Sequence, residues 1–162
     1  MELILWRHAD AEDAVPGKPD AARALTAKGE KQAQRMAAWL GKRLSGEVLI
    51  LVSPAARAQQ TARALARRFE TSDEVGTAAE SQSVLKAARW PDGEGTVLVV
   101  GHQPTLGQAA ALALTGRPAD WSVRKGALWW LESRGQGAAQ VRAVIAPDML
   151  SSERRETRRE RR

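Results

Sequence analysis

The 162-residue chain has no cysteine and no tyrosine, a single phenylalanine and only two histidines. Without cysteine there is no disulfide, thiolate metal site, iron–sulfur cluster or cysteine nucleophile, so covalent catalysis must use another side chain. Long apolar runs are also missing. The opening segment Met1-Glu2-Leu3-Ile4-Leu5-Trp6-Arg7-His8 turns charged too soon for a signal peptide or membrane span, and a cytoplasmic location with no membrane partner is expected. The six tryptophans fall mostly inside apolar patterns, leaving no platform of interleaved basic and aromatic residues for stacking bases. The formal net charge of +6 does not reverse this, because residues 151–162 carry six Arg and three Glu, which supplies +3 of it. Nucleic acid is therefore not an expected partner.

The apolar segments alternate in kind. Glu2 to Trp6 reads as a short buried strand that exits into a polar loop containing Pro16, Gly17 and Pro19. Ala33, Met36, Ala37, Leu40 and Leu44 recur at helical steps, with Thr26 as N-cap and Gly46 as stop. Val48 to Val52 is a second strand, and Ser53-Pro54 opens a helix to about Phe69 with Pro54 at a first helical position. A short helix is expected around Ser83 to Ala88. Thr96 to Val100 is a third strand, and Gly101-His102-Gln103-Pro104 leads into an Ala- and Leu-rich helix to about Leu114. Ala127 to Leu131 and Gln140 to Ile145 flank Gly135-Gln136-Gly137 and read as two adjacent strands. Continuous apolar strands alternating with helices predict a three-layer α/β sandwich with a mostly parallel central sheet. Residues 1–150 suit one domain, and 151–162 form an Arg/Glu-rich tail expected to be solvated.

Both histidines follow predicted parallel strands, His8 after the first and His102 after the third. That edge is where open parallel sheets bind ligands. Arg7 adjoins His8, and Arg57 falls in the first turn of the helix after the second strand. Two imidazoles and two guanidiniums therefore converge on one edge. Arginine suits phosphate because its planar fork makes paired charge-assisted hydrogen bonds, each worth about 1.5–3 kcal/mol where water is excluded. With no paired carboxylates beside the histidines to complete a metal site, no metal or cofactor is expected, and an imidazole attacking phosphorus is the economical mechanism. The attacking ring must be neutral, and Arg7 and Arg57 favour that form of His8.

At these residues the sequence resembles the histidine phosphatase superfamily and, within it, the small SixA-like phosphohistidine phosphatases. The resemblance runs from Met1 to about Ala146. It rests on Leu5-Trp6-Arg7-His8-Ala9, on Asp20 to Arg23 followed by Leu25-Thr26 and Gly29, on Ser53-Pro54 with Arg57 and Gln60-Thr61-Ala62, and on Val100 to Pro104. It implies a phosphoglycerate-mutase-like fold without the large helical insertion between the second and third strands. It further implies that His8 becomes phosphorylated, that Arg7, Arg57 and His102 hold the phosphoryl oxygens with Gln103 beside them, and that water releases phosphate. The implied substrate is a protein phosphohistidine, in signal transduction. The chain departs from the family pattern where Arg23-Ala24 replaces Arg-Pro, and no carboxylate between Glu70 and Pro91 matches the general acid of the larger enzymes. Glu80 is the nominated candidate for that acid.

Accessory roles are expected nearby. Asp10 is read as a loop cap in preference to a proton donor, and Asp20 with Arg23 as a salt bridge ordering the long loop in preference to Arg23 facing substrate. A small phosphate ester is the alternative substrate, for a general phosphomonoesterase. A non-catalytic phosphoprotein-binding module is the alternative of a different class.

Overall fold

In a computed structural model, residues 1–136 and 138–150 are described. The Arg/Glu-rich tail of 151–162 lies outside the described residues. The strands are β1 (Glu2–Arg7), β2 (Val48–Val52), β3 (Glu70–Thr71), β4 (Thr96–Gly101), β5 (Leu128–Ser133) and β6 (Ala139–Ile145). The helices are α1 (Ala27–Gly41), α2 (Ala56–Arg63), α3 (Ser81–Ala87) and α4 (Thr105–Thr115). One six-stranded sheet has the order β3-β2-β4-β1-β5-β6. The pairs β3–β2, β2–β4 and β4–β1 are parallel, while β1–β5 and β5–β6 are antiparallel. This is the expected α/β sandwich with a mostly parallel sheet.

Alternation along the apolar strands builds two cores at once, because successive side chains leave a strand on opposite faces. Leu3 and Leu5, with Val97 and Val99, face α3 and α4, where Val84, Leu106 and Ala110 complete the packing. Ile4 and Trp6, with Leu98 and Val100, face α1 and α2 and meet Met36, Leu40 and Ala62. A central strand covered on both sides cannot alternate polar and apolar residues, which is why β1 and β4 read as unbroken apolar runs. Trp6 is fully buried, and its indole N–H donates to the Gly126 carbonyl at 2.9 Å, so its polar atom is not stranded.

Several boundaries differ from the expectation. α2 ends at Arg63, not near Phe69, because Ala64, Leu65 and Ala66 make tighter i→i−3 bonds and Ala66 turns left-handed at φ 52. That turn returns Glu70 and Thr71 to pair with Leu51 and Val52 as β3, an edge strand too short and polar to show a sequence pattern. Pro54 precedes the helix instead of opening it, since Ser53 Oγ accepts from the Ala55 N–H and gives the chain one more turn before Ala56. Likewise α1 stops at Gly41, where Arg43 and Leu44 both donate to the Leu40 carbonyl. Thr26 caps α1 as expected, its Oγ1 accepting from the Gly29 N–H at 3.0 Å. No described helix is long and apolar enough to cross a membrane.

Candidate active site

The carboxyl ends of β1, β2 and β4 lie side by side, and each delivers one piece of the site. β1 ends at Arg7 and hands on to His8, whose backbone N–H donates to the Gly101 carbonyl at the end of β4. β4 hands on to His102, and the turn after β2 carries Ser53 and then Arg57 at the second position of α2. The imidazoles of His8 and His102 have their centroids 5.3 Å apart. Arg57, His102 and His8 are 4, 5 and 7% exposed, unusual burial for such residues. The four residues expected on this edge are therefore together.

Each is held by a specific contact. His8 Nδ1 is 2.7 Å from the Ala9 carbonyl, which can only accept, so Nδ1 carries the proton and Nε2 keeps its lone pair. Thr61 joins the two halves of the site: its Oγ1 accepts from the Ala9 N–H at 3.1 Å and donates to the Arg57 carbonyl at 2.8 Å. Arg7 Nη1 donates to the Val123 carbonyl, and Arg57 donates from Nη1 to the Asp20 carbonyl and from Nη2 to the Asp20 carboxylate. His102 Nε2 lies 2.7 Å from Ser53 Oγ. When Ser53 donates in that bond, the proton of neutral His102 is on Nδ1.

Three donors remain. Arg7 Nε, Arg57 Nε and, in that tautomer, His102 Nδ1 are buried with no hydrogen-bond partner among the described residues, where the one other such side-chain atom is Trp130 Nε1 in the core. An unpaired buried donor costs about 1–3 kcal/mol, more when charged. Three such costs at one strand edge mark a site shaped for an acceptor-rich anion.

Electrostatics point the same way. Burial pushes the His8 pKa down to about 3, aided by the charges of His102, Arg57 and Arg7 and opposed by the Ala9 hydrogen bond. Burial first, and Arg57 next, bring His102 down to about 4, against the opposing pull of Asp20. Both rings are neutral at pH 7. The Arg7 guanidinium is also lowered, by burial and then by Arg57, the signature of clustered cations lacking an anion.

The loops that shape the mouth were not readable as site elements. The β1–α1 loop carries a 3-10 turn at Asp20–Ala22, and there Asp20 pairs with Arg23 at 2.9 Å and with Arg57 at 3.1 Å. The first pair was foreseeable from three-residue spacing. The second joins residues 37 apart, which no local pattern reveals. The 117–126 loop forms the opposite wall through Val123 and Trp121, and it approaches α4 so closely that a Cβ on Gly107 would sit 1.7 Å from the Trp121 carbonyl. Ser53 is a further residue whose role as partner of His102 had no sequence signal beyond its place after β2.

Three nominated residues sit elsewhere. The Gln103 amide donates to the Trp121 carbonyl and accepts from the Gly107 N–H, so its side chain secures that wall and is not free for phosphate. Asp10 accepts from the Thr26 hydroxyl at 2.7 Å and pairs with Lys125, a tie between loops and α1 in line with the cap reading. Glu80 is the exposed N-cap residue of α3, and its carboxylate makes no hydrogen bond or ion pair among the described residues.

Residues 3–77 match the model of the histidine phosphatase superfamily, branch 1. A protein of Picosynechococcus sp. with no described activity is 35% identical over 157 aligned residues, covering 88% of this chain and 90% of that protein. The structure of the protein histidine phosphatase SixA complexed with tungstate aligns with a TM-score of 0.78 at 26% identity, over 93% of this chain and all of that one. A protein of Agrobacterium tumefaciens assigned as the phosphohistidine phosphatase SixA aligns with a TM-score of 0.75 at 29% identity, over 90% and 97% of the two chains. The chain belongs to the histidine phosphatase superfamily and is SixA-like. Its sheet and helices are those of the phosphoglycerate-mutase-like fold. As a histidine phosphatase it is an enzyme of phosphoryl hydrolysis, and its substrates are phosphorylated compounds.

Proposed function

We propose that this histidine phosphatase hydrolyses protein phosphohistidine through a covalent phosphoryl intermediate on His8, acting in the cytoplasm from one domain spanning residues 1–150. The observation that carries the reading is the set of orphaned donors Arg7 Nε, Arg57 Nε and His102 Nδ1 gathered at the strand edge that also holds the free Nε2 of His8. A phosphoryl group supplies oxygens for these donors, and the relative SixA binds tungstate, an oxyanion of related shape.

In the first step the His8 Nε2 lone pair attacks phosphorus while the arginines hold the equatorial oxygens, where charge spreads in the transition state. The bond to the leaving group breaks opposite. Water then attacks phospho-His8, phosphate departs, and the neutral imidazole is restored. These side chains and water complete the cycle.

The leaving group selects the substrate class. Among the described residues Asp20 is the carboxylate in contact with Arg57, and its hydrogen bond from Arg23, followed by that from Arg57, holds it below the usual carboxylate range. It is ionised at pH 7 and is a poor acid for an alkoxide. Phosphohistidine avoids that demand, because its imidazole departs with a proton already on the distal nitrogen. Comparing kcat/KM on a phosphohistidine peptide and on a panel of sugar and nucleotide phosphate esters tests the choice. A large preference for the peptide is expected, and a preference for the esters would make the protein a general phosphomonoesterase.

A further inference from the structure

Among the described residues Asp20 is the one carboxylate that touches Arg57, and it does so from the rim. Its side chain is 57% exposed, while that of Arg57 beneath it is 5% exposed. Arg57 is gripped at two points, Nη1 by the Asp20 carbonyl at 3.0 Å and Nη2 by Oδ2 at 3.1 Å. That grip fixes the guanidinium plane and leaves the buried Nε as its unpartnered donor. The other oxygen, Oδ1, accepts from Arg23 Nε at 2.9 Å. An ionised carboxylate offers about four acceptor sites, so accessible lone pairs remain at the mouth of the site.

The side on which this charge stands matters. Asp20 is bonded to Arg57 and Arg23, whereas His8 is held by Ala9 and Arg7 by Val123. It therefore stands on the Arg57 side of the site, with no bond to the nucleophile. His8 is 7% exposed at the floor and the Asp20 side chain 57% exposed at the rim, and in an in-line displacement the leaving group departs from the side opposite the nucleophile, towards that rim.

We propose that Asp20 is a specificity-determining residue that both locks Arg57 and accepts a hydrogen bond from the distal N–H of a leaving imidazole, favouring phosphoramidates over phosphate esters. This rests on the phosphohistidine reading given above. As the His8–phosphorus bond forms, the phosphorus–nitrogen bond of the substrate breaks and its electron pair stays on the leaving nitrogen. The distal nitrogen keeps its proton, so neutral imidazole departs and Asp20 remains ionised throughout. The gain is in kcat/KM, because the carboxylate favours the protonated ring that departs readily over the unprotonated ring of free substrate. An alkyl or aryl oxygen offers no such N–H and meets the same carboxylate as a repulsive neighbour.

Asp20→Asn separates the two roles: its one carbonyl oxygen still accepts from Arg57 Nη2 without the charge, and the lost bond from Arg23 Nε affects both substrates alike and cancels in their ratio. The experiment compares kcat/KM for N-phosphoimidazole and for p-nitrophenyl phosphate in wild type and Asp20→Asn. Their ratio does not depend on the fraction of variant that folds. The expected result is a fall of about tenfold in the phosphoimidazole-to-ester ratio, the scale of losing one charge interaction at a half-exposed site. Equal losses on both substrates would reduce Asp20 to a holder of Arg57 and overturn the inference alone. Wild type that hydrolyses the ester but not phosphoimidazole would overturn the phosphohistidine reading itself, and this inference with it.

Discussion

At the carboxyl ends of β1, β2 and β4, Arg57, His8 and His102 are buried, and three of their and Arg7's donors have no partner. At the amino ends of β2 and β4 lies an open groove of about 1360 Å³ lined by Glu47, Arg68, Glu70, Arg89, Asp92 and Glu94, all exposed. The groove is open, and its charges are of both signs and keep their hydration. Exposed pairs of that kind contribute about 0–1 kcal/mol. Water satisfies the groove, whereas the buried cradle is satisfied by an anion that brings its own acceptors. An open groove therefore does not by itself mark the functional end of this sheet. The clustering of three unpaired polar nitrogens does, the fourth among the described residues, Trp130 Nε1, lying alone in the core against α1 and α2.

The contrast can be broken most severely at Arg57. Arg57→Ala removes one orphaned donor and leaves Asp20 paired with Arg23 alone, and kcat/KM is expected to fall about 10²–10³-fold in a phosphatase assay, as for loss of an oxyanion-binding donor. A fall of less than about threefold would mean the cradle does not hold the phosphoryl group.

Acid stability sharpens the same comparison. The folded pKa values of His8 and His102, about 3 and 4, lie below the ordinary value of 6.5. Between those limits the unfolded chain binds protons that the folded chain refuses, so stability falls as pH drops below 6.5. The expected slope is about 1.4 kcal/mol per pH unit for each histidine. Urea unfolding between pH 7 and 4.5 measures it, and a flat profile would show that the rings are not held neutral.

The smallest effect is expected at the other end. Arg89→Ala should leave phosphatase activity within about twofold of wild type and stability within about 0.5 kcal/mol. A large loss of activity there would place function in the groove and dissolve the contrast.

Much of this was legible in the chain because covered parallel strands leave an unmistakable record. Val48–Val52 was placed to the residue, and the apolar runs at Glu2 and Thr96 put His8 and His102 on one edge before any coordinates. Arg57 was placed by its distance from Ser53. What was hidden shares a physical cause: contacts made by loops through backbone atoms or across long separations. The Thr61 bridge between Ala9 and Arg57, the Ser53 partner of His102 and the Asp20 grip on Arg57 all depend on chain paths that periodicity does not encode. Gln103 misled for the opposite reason. Its place next to His102 put it at the right edge, but its amide turned to the Trp121 wall.

The central claim is that His8 itself accepts the phosphoryl group. Rapid quenching of the wild-type protein with a radiolabelled phosphoryl donor, followed by peptide mapping, tests it most directly. The account predicts an acid-labile, base-stable label on His8 and neither label nor turnover in His8→Ala. Label on another residue, or full turnover by His8→Ala, would contradict it.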